Sequence, residues 1–339
     1  MSVDRPLVRA PELPSLSWLN APQAMTLADL RGRVVLLHMW DYTCINCLRT
    51  LPYVRAWWDR YENAGLTILG VHTPEFSFAH HQKHVAAAAG RLGIGWPILL
   101  DNDQRLWTAL ANRYWPTFYL VDGKGYLRYS KAGEGDYGAT EQALQELLRE
   151  IDPVVSLPAH LDPLTPEDSP GAVCLPHTPE LQSNSLGNSN ALGAIPEVLE
   201  QGRFYLEGTW EPIADGLTLV ESPGAIVLPF RAASVFAVLA PGSDPSVLPA
   251  IPVRPRLEVD GRDLGPDHFG DDAFSEDGRT WMRIDAPRLY SLARGLDPSE
   301  HVLRLSLDEP GFTFYAFSFG ACLAAPTPSF VPLQEAPPC

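Results

Sequence analysis

Two cysteines separated by two residues carry the most specific chemical signal in this chain. The run Trp40-Asp41-Tyr42-Thr43-Cys44-Ile45-Asn46-Cys47 follows an apolar stretch, Val34 to Trp40, that reads as a strand buried on both faces. It precedes Leu48, Leu51, Val54, Trp57, Trp58 and Tyr61, which recur at the spacing of an amphipathic helix. Both thiols then fall in the first helical turn. Cys44 would face solvent near unpaired backbone N–H groups and the positive end of the helix dipole, which favours an attacking thiolate. Cys47, one turn further in, is placed to resolve a mixed disulfide. Such a pair cycles between dithiol and disulfide with no metal or organic cofactor. A zinc site would need two further ligands, and no second Cys-x-x-Cys or Cys-x-x-His occurs.

Other groupings carry less. His80, His81 and His84 share a helical spacing, but no third ligand class accompanies them, and a solvated helix face is expected. Asp101-Asn102-Asp103 lacks the spaced ligands and late Glu of a calcium loop and reads as helix capping. Cys174, Cys322 and Cys339 stand alone, and with five cysteines at least one lacks an intramolecular partner. Cys322 follows an apolar run and is expected to be a buried structural thiol.

The 25 basic against 41 acidic side chains give a net charge of −16, which argues against nucleic acid or anionic lipid as a partner. No stretch approaches the roughly 20 apolar residues of a membrane-spanning helix, and the first twenty residues hold no export-type apolar core. Taken as written, the chain would stay in the cytoplasm. The charge is uneven: residues 1 to 151 hold 15 basic and 15 acidic side chains, residues 152 to 339 hold 10 and 26, and 25 of the 33 prolines lie in the second part. Two composition regimes imply two domains.

The cysteines need elements to position them. After the first strand and helix, Leu66 to Val71 reads as a second buried strand, Ser77 to Ala89 and Gln104 to Asn112 as helices, and Thr117 to Val121 with Tyr126 to Ser130 as a hairpin about Asp-Gly-Lys-Gly. Thr140 to Ile151, with Thr140 at the N-cap, closes a thioredoxin-like order. Residues 152–200, rich in Pro, Ser and Asn, read as a linker draped on the surface, with a short helical piece at Pro196 to Gln201. Eight short runs then follow: Phe204 to Trp210, Leu217 to Val220, Ala225 to Phe230, Ser234 to Leu239, Arg256 to Val259, Thr280 to Asp285, Val302 to Leu307 and Phe312 to Phe319. They fit an all-β antiparallel sandwich or jelly roll over residues 201–325, before a Pro-rich tail at 326–339. The expected fold is thus an α/β thioredoxin-like domain over residues 1–151 plus this sandwich.

Pro52, eight residues after Cys44 inside a helical pattern, and Trp115-Pro116-Thr117 before a strand make the cysteine run resemble the thioredoxin superfamily. That resemblance implies a cis bond before Pro116 and a backbone edge at Trp115 free to pair with substrate. Cys44-Ile45-Asn46-Cys47-Leu48-Arg49-Thr50-Leu51-Pro52, Val71-His72-Thr73-Pro74-Glu75-Phe76 and Asn112-Arg113-Tyr114-Trp115-Pro116 are similar to the soluble C-terminal part of the DipZ proteins, relatives of TlpA-like thiol–disulfide oxidoreductases. The similarity covers residues 15 to 150. It implies a following jelly roll like carbohydrate-binding modules, protein thiol or disulfide substrates, an electron donor and an extracytoplasmic location. DipZ proteins carry an N-terminal membrane domain that delivers electrons, and the chain as given begins without it.

Within this resemblance Cys44, Cys47, Glu75 and Pro116 are the catalytic candidates, with Trp40, His38 and Trp115 in support. His38 takes the place where many thioredoxins have a buried Asp, and serves either as a neutral proton acceptor or as a core histidine bonded to backbone. Glu75 follows the second strand, where the ends of neighbouring parallel strands meet the cysteine turn; it would relay a proton to or from Cys47, or else serve as an N-terminal helix charge. Trp210, Trp281, Tyr205, Tyr290 and Tyr315 could stack on sugar rings, line a partner surface or fill the core. Two alternative functions stand beside the oxidoreductase. A peroxiredoxin-like peroxidase is disfavoured because Asp41, not Thr, stands three residues before Cys44. The other is a binding module whose redox part senses state.

Overall fold

The computed structural model describes residues 8–184, 195–242 and 252–323. The Pro-rich tail with Cys339 and part of the expected linker lie outside the described residues. The first unit runs β1 (Val8–Arg9), β2 (Trp18–Leu19), β3 (Val34–Trp40), α1 (Ile45–Tyr61), β4 (Leu66–His72), α2 (Gln82–Arg91), β5 (Ile98–Leu100), α3 (Arg105–Ala109), β6 (Thr117–Val121), β7 (Tyr126–Ala132) and α4 (Tyr137–Ile151). Its sheet has the order β1-β7-β6-β3-β4-β5-β2. β3 is central, parallel to β4 and antiparallel to β6, and all seven of its residues are buried. Alternate side chains therefore serve two cores. Val34, Leu36 and Trp40 pack with Val54, Trp57 and Leu148 of the long helices, while Val35, Leu37 and Met39 pack with Leu27 and Leu106 on the other face.

Local chemistry shifts several expected boundaries. The helix expected from Ser77 to Ala89 is a 3₁₀ turn, Ser77–His80, followed by α2, because His81 takes an extended conformation between them. α4 starts at Tyr137 after Asp136 in the left-handed region. Thr140 is not its cap: buried one turn in, it bonds the Asp136 carbonyl and faces the Tyr129 hydroxyl. Asp101 does cap, its two carboxylate oxygens accepting from the N–H groups of Leu106 and Trp107.

The chain then crosses to the second unit as a strap. Leu157 and Leu161 pack on the first core, the Leu161 N–H donates to Glu141, and Tyr53 donates to Asp168 at 2.8 Å. The strap contributes β8 (Val173–Cys174) and β9 (Leu181–Gln182). No helix forms at residues 196–201. The remaining strands are β10 (Tyr205–Pro212), β11 (Leu217–Arg231), β12 (Ser234–Pro241), β13 (Arg256–Val259), β14 (Arg262–Asp263), β15 (Ala273–Glu276), β16 (Arg279–Met282), β17 (Arg288–Ala293), β18 (Glu300–Leu307), β19 (Phe312–Gly320) and β20 (Cys322–Leu323). Apart from β20, which pairs with β8, these pair antiparallel in the order β15-β16-β13-β18-β11-β19-β12-β17 with β9, β10 and β14 as branches. A bridge between Phe269 and Ala293 brings the two ends together, giving a nearly closed β-rich unit. The two runs expected at Leu217 to Val220 and Ala225 to Phe230 are one strand: the first part of β11 pairs with β19 and the second with β18, so it carries the chain between layers.

Cys322 is not a lone buried thiol. It stands opposite Cys174 in the β8–β20 pair and forms a disulfide with it across 148 residues, tying the exposed strap to the end of the second unit. Sequence spacing gave no sign of it. A cross-link over so long a loop removes much chain entropy from the unfolded state, so the Cys174→Ser/Cys322→Ser variant should lose roughly 2–4 kcal/mol of unfolding free energy in urea. Unaltered midpoint and slope would show that the bond constrains nothing.

Candidate active site

The cysteine turn leaves the end of β3 at the edge where β4 also ends and the antiparallel β6 begins. In register, Trp40 lies beside His72 of β4, and Met39 beside Thr117 of β6. Pro116, buried and joined to Trp115 by a cis bond, therefore sits at the same edge as the turn. Cys44 is the N-cap of α1 in an extended conformation, half-buried, and its sulfur accepts the Cys47 N–H at 3.3 Å. Cys47 is fully buried; removal from water, followed by the neighbouring Cys44, pushes its thiol well above the ordinary value. Both thiols are free, so the pair is in the dithiol form. Pro52 lies within α1 and leaves the Leu48 carbonyl without its usual intrahelical donor.

The supporting residues lie behind the turn. Trp40 is buried against Gly70, where a Cβ would stand 3.0 Å from the Trp40 indole nitrogen and 3.3 Å from that of Trp96, so a side chain there would crowd both indoles. His38 is buried, its ring 5.1 Å from that of Phe118. Its partner is a side chain rather than backbone: Nε2 lies 3.1 Å from Thr50 Oγ1, whose hydroxyl donates to the Cys47 carbonyl at 2.7 Å. With its one proton committed to that carbonyl, the hydroxyl can only accept from His38, which fixes the Nε2–H tautomer. Burial pushes the His38 pKa down to about 3, so the ring is neutral at ordinary pH. Trp115 is half-buried, its ring 4.4 Å from that of Trp107.

Glu75 is half-buried, and its carboxyl is bound by Gln182 of β9 rather than by a helix N-terminus. Burial, then the charges of Glu180 and Asp41, push its pKa up to about 8 against the pull of the Gln182 hydrogen bond. Asp41 is the residue that sequence reasoning missed. It is fully buried, accepting the Thr43 N–H at 3.0 Å on Oδ1 and the Glu75 N–H at 2.6 Å on Oδ2, with His72 Nε2 3.4 Å from Oδ1. Burial alone would raise its pKa, but His72 and the two backbone donors outweigh it and hold the carboxyl below its usual value. The Asp41 backbone also offsets part of the rise in the Cys47 pKa. The available signal was a charged residue placed between a mostly apolar strand and the cysteine turn.

His80 and His81 are exposed as expected, whereas His84 is buried with Nδ1 3.0 Å from the Phe78 carbonyl. Among the described residues no three His, Cys, Asp or Glu side chains are grouped to hold a metal ion. Of the five aromatics of the second unit, Tyr205, Trp210, Tyr290 and Tyr315 are buried, and the half-buried Trp281 lies under Arg254.

Such a dithiol at a helix start, on this sheet, defines a thioredoxin-like protein, and comparison narrows the class. A profile of the AhpC/TSA family matches residues 10–130, and one described as a thioredoxin like C-terminal domain matches residues 182–320. The thiol-disulfide oxidoreductase YkuV of Bacillus subtilis is 30% identical over 137 residues, which cover 40% of this chain and 90% of YkuV. The chain belongs to the thioredoxin-like thiol–disulfide oxidoreductases. Protein DipZ of Mycobacterium bovis is 39% identical over 242 residues, or 68% of this chain. The aligned region spans 35% of the length of that relative. A solved thioredoxin-like protein in its oxidised form is 29% identical, with a TM-score of 0.39, covering 42% of this chain and 97% of that one.

Since the Glu75 pKa is raised in the folded protein, the native state keeps a proton that the unfolded chain releases from about pH 4.5 upward. The stability it contributes is full below that point and lost as pH rises through about 8. Glu75→Gln, neutral throughout, should gain thermal stability relative to the parent protein over this window. Parallel Tm-against-pH curves would place the carboxyl in water.

Proposed function

We propose that this chain exchanges disulfides with protein thiols through Cys44 and Cys47. The observation that carries the reading is the asymmetry of the pair: an accessible Cys44 at the helix cap, and a buried Cys47 whose N–H already meets the Cys44 sulfur. In the reducing direction the Cys44 thiolate attacks a substrate disulfide. A Cys44–substrate bond forms, the substrate bond breaks, and the departing thiolate takes a proton from solvent. Cys47 then gives its proton to Glu75 and attacks Cys44, forming the intramolecular disulfide and releasing the second substrate thiolate. Two electrons pass from the dithiol to the substrate, and the reverse sequence oxidises it.

Trp40 and neutral His38 hold the turn from behind, while Pro116 and Trp115 form the opposite wall of the substrate path. The redox unit is assigned to residues 1–151 and the second unit to 201–325, supported by the end of α4 at Ile151 and the opening of β10 at Tyr205. β9 of the strap already hydrogen-bonds to the second sheet. The second unit is read as structural support for the redox site, since most of its aromatic faces are spent in the core. Cys47→Ser should trap mixed disulfides with a disulfide-bonded protein such as insulin, visible on non-reducing gels, and Cys44→Ser should not. Trapping by Cys44→Ser alone would reverse the roles.

A further inference from the structure

The two units meet over the Glu75 loop. Phe76 and Phe78 pack against Tyr315 at ring separations of 5.4 and 4.8 Å, Val238, Ala240 and Leu289 join the same core, and Ser77 binds Asp215 through its N–H and hydroxyl. At this seam Gln182 Nε2 donates to Glu75 Oε1 at 2.8 Å and to Glu180 Oε1 at 3.1 Å, and the Ser318 hydroxyl donates to Glu180 Oε2 at 3.3 Å. The Gln182 backbone is fixed: β9 pairs Leu181 with Phe317 and Gln182 with Ala316, Leu181 is buried, and the Ser183 N–H donates to the Tyr315 carbonyl at 2.7 Å. The same strap is bonded in both directions between Thr178 and Arg231.

Resting on the reading of Glu75 as the proton acceptor for Cys47, we propose that Gln182 and Glu180 are positioning residues of the disulfide exchange, through which the second unit aims the Glu75 carboxyl and sets its proton affinity. The two act in opposite senses. An amide N–H donates more strongly to a carboxylate than to a neutral acid, so Gln182 favours the ionised Glu75. The Glu180 charge, from the strap, and the Asp41 charge, from the end of β3, favour the protonated form, and these are the charged groups that face Glu75. The strap, paired onto the second sheet through β9, thus holds one residue that lowers, and one that raises, the pH at which Glu75 accepts the Cys47 proton.

The test uses the whole chain, reduced, exchanging with oxidised glutathione across about pH 5 to 9. Glu180→Gln should move the Glu75-dependent midpoint down and Gln182→Leu should move it up, each by about half a pH unit or more, the worth of one net hydrogen bond. Gln182→Glu, which preserves length while adding a charge, should move it further up. All three shifts should vanish in a Glu75→Gln background. Shifts in one common direction, no shifts, or shifts that persist without Glu75 would overturn the proposal. If Glu75→Gln itself changes the profile while the strap variants do not, only this inference fails. If Glu75→Gln leaves the profile unchanged, the Glu75 relay fails with it.

Discussion

A single buried carboxylate holds the site together. Removing Asp41 from water costs several kcal/mol unless its oxygens are bonded, and the donors it finds are backbone N–H groups on both sides of the redox centre, at Thr43 in the cysteine turn and at Glu75 after β4. The separation of those segments is therefore set by one side chain whose only alternative is an unpaired buried charge. His72, buried between the rings of Trp40 and Tyr42, supplies the third contact and belongs to β4 itself. The cysteine turn, the Glu75 loop and the central sheet thereby behave as one body.

This body gives the two thiols unlike environments. Cys44 keeps access to solvent because it precedes the first helical residue, while Cys47 falls on the buried face of α1, where desolvation disfavours its thiolate. In the proposed exchange the buried Cys47 thiol gives up its proton, and it then needs an acceptor whose affinity is closer to its own than an ordinary carboxylate offers. Glu75 approaches that match because it is desolvated and surrounded by negative charge. His38 cannot fill that role in the same way: enclosed by Trp40 and Phe118, it stays neutral, and through Thr50 it reaches the Cys47 carbonyl rather than the sulfur.

The second unit is part of this arrangement rather than an appendage. Its contact with the first is apolar where Tyr315 meets Phe76 and Phe78, and polar where Gln182 meets Glu75, so the burial that perturbs Glu75 is produced partly by residues more than a hundred positions away. Arg49, paired within the first unit with Glu134 at 3.3 Å, reaches across as well and lies over the Phe236 ring. The strap that carries Gln182 is held at its start by Tyr53 and further along by the Cys174–Cys322 disulfide.

The first sheet was legible in the sequence because its signals are local: an apolar run gives β3 to the residue, the helical period of Leu51, Val54 and Trp57 gives α1, and Asp-Gly-Lys-Gly gives the β6–β7 hairpin. The cysteine pair was legible for the same reason, since two intervening residues put both sulfurs in one turn wherever a helix begins. Five strands of the second unit were found by alternation at nearly their observed bounds, while β14, β15, β17 and β20 were missed and β11 was split at Ser222-Pro223, where proline reads as a break although the strand continues. The joining of Cys174 to Cys322, the burial of Tyr290 and Tyr315, and the bond from Gln182 to Glu75 were decided only by the tertiary structure. Each joins residues with no shared period or spacing, and proton affinity depends on who stands nearby and how little water remains, quantities that exist only once the two units have packed.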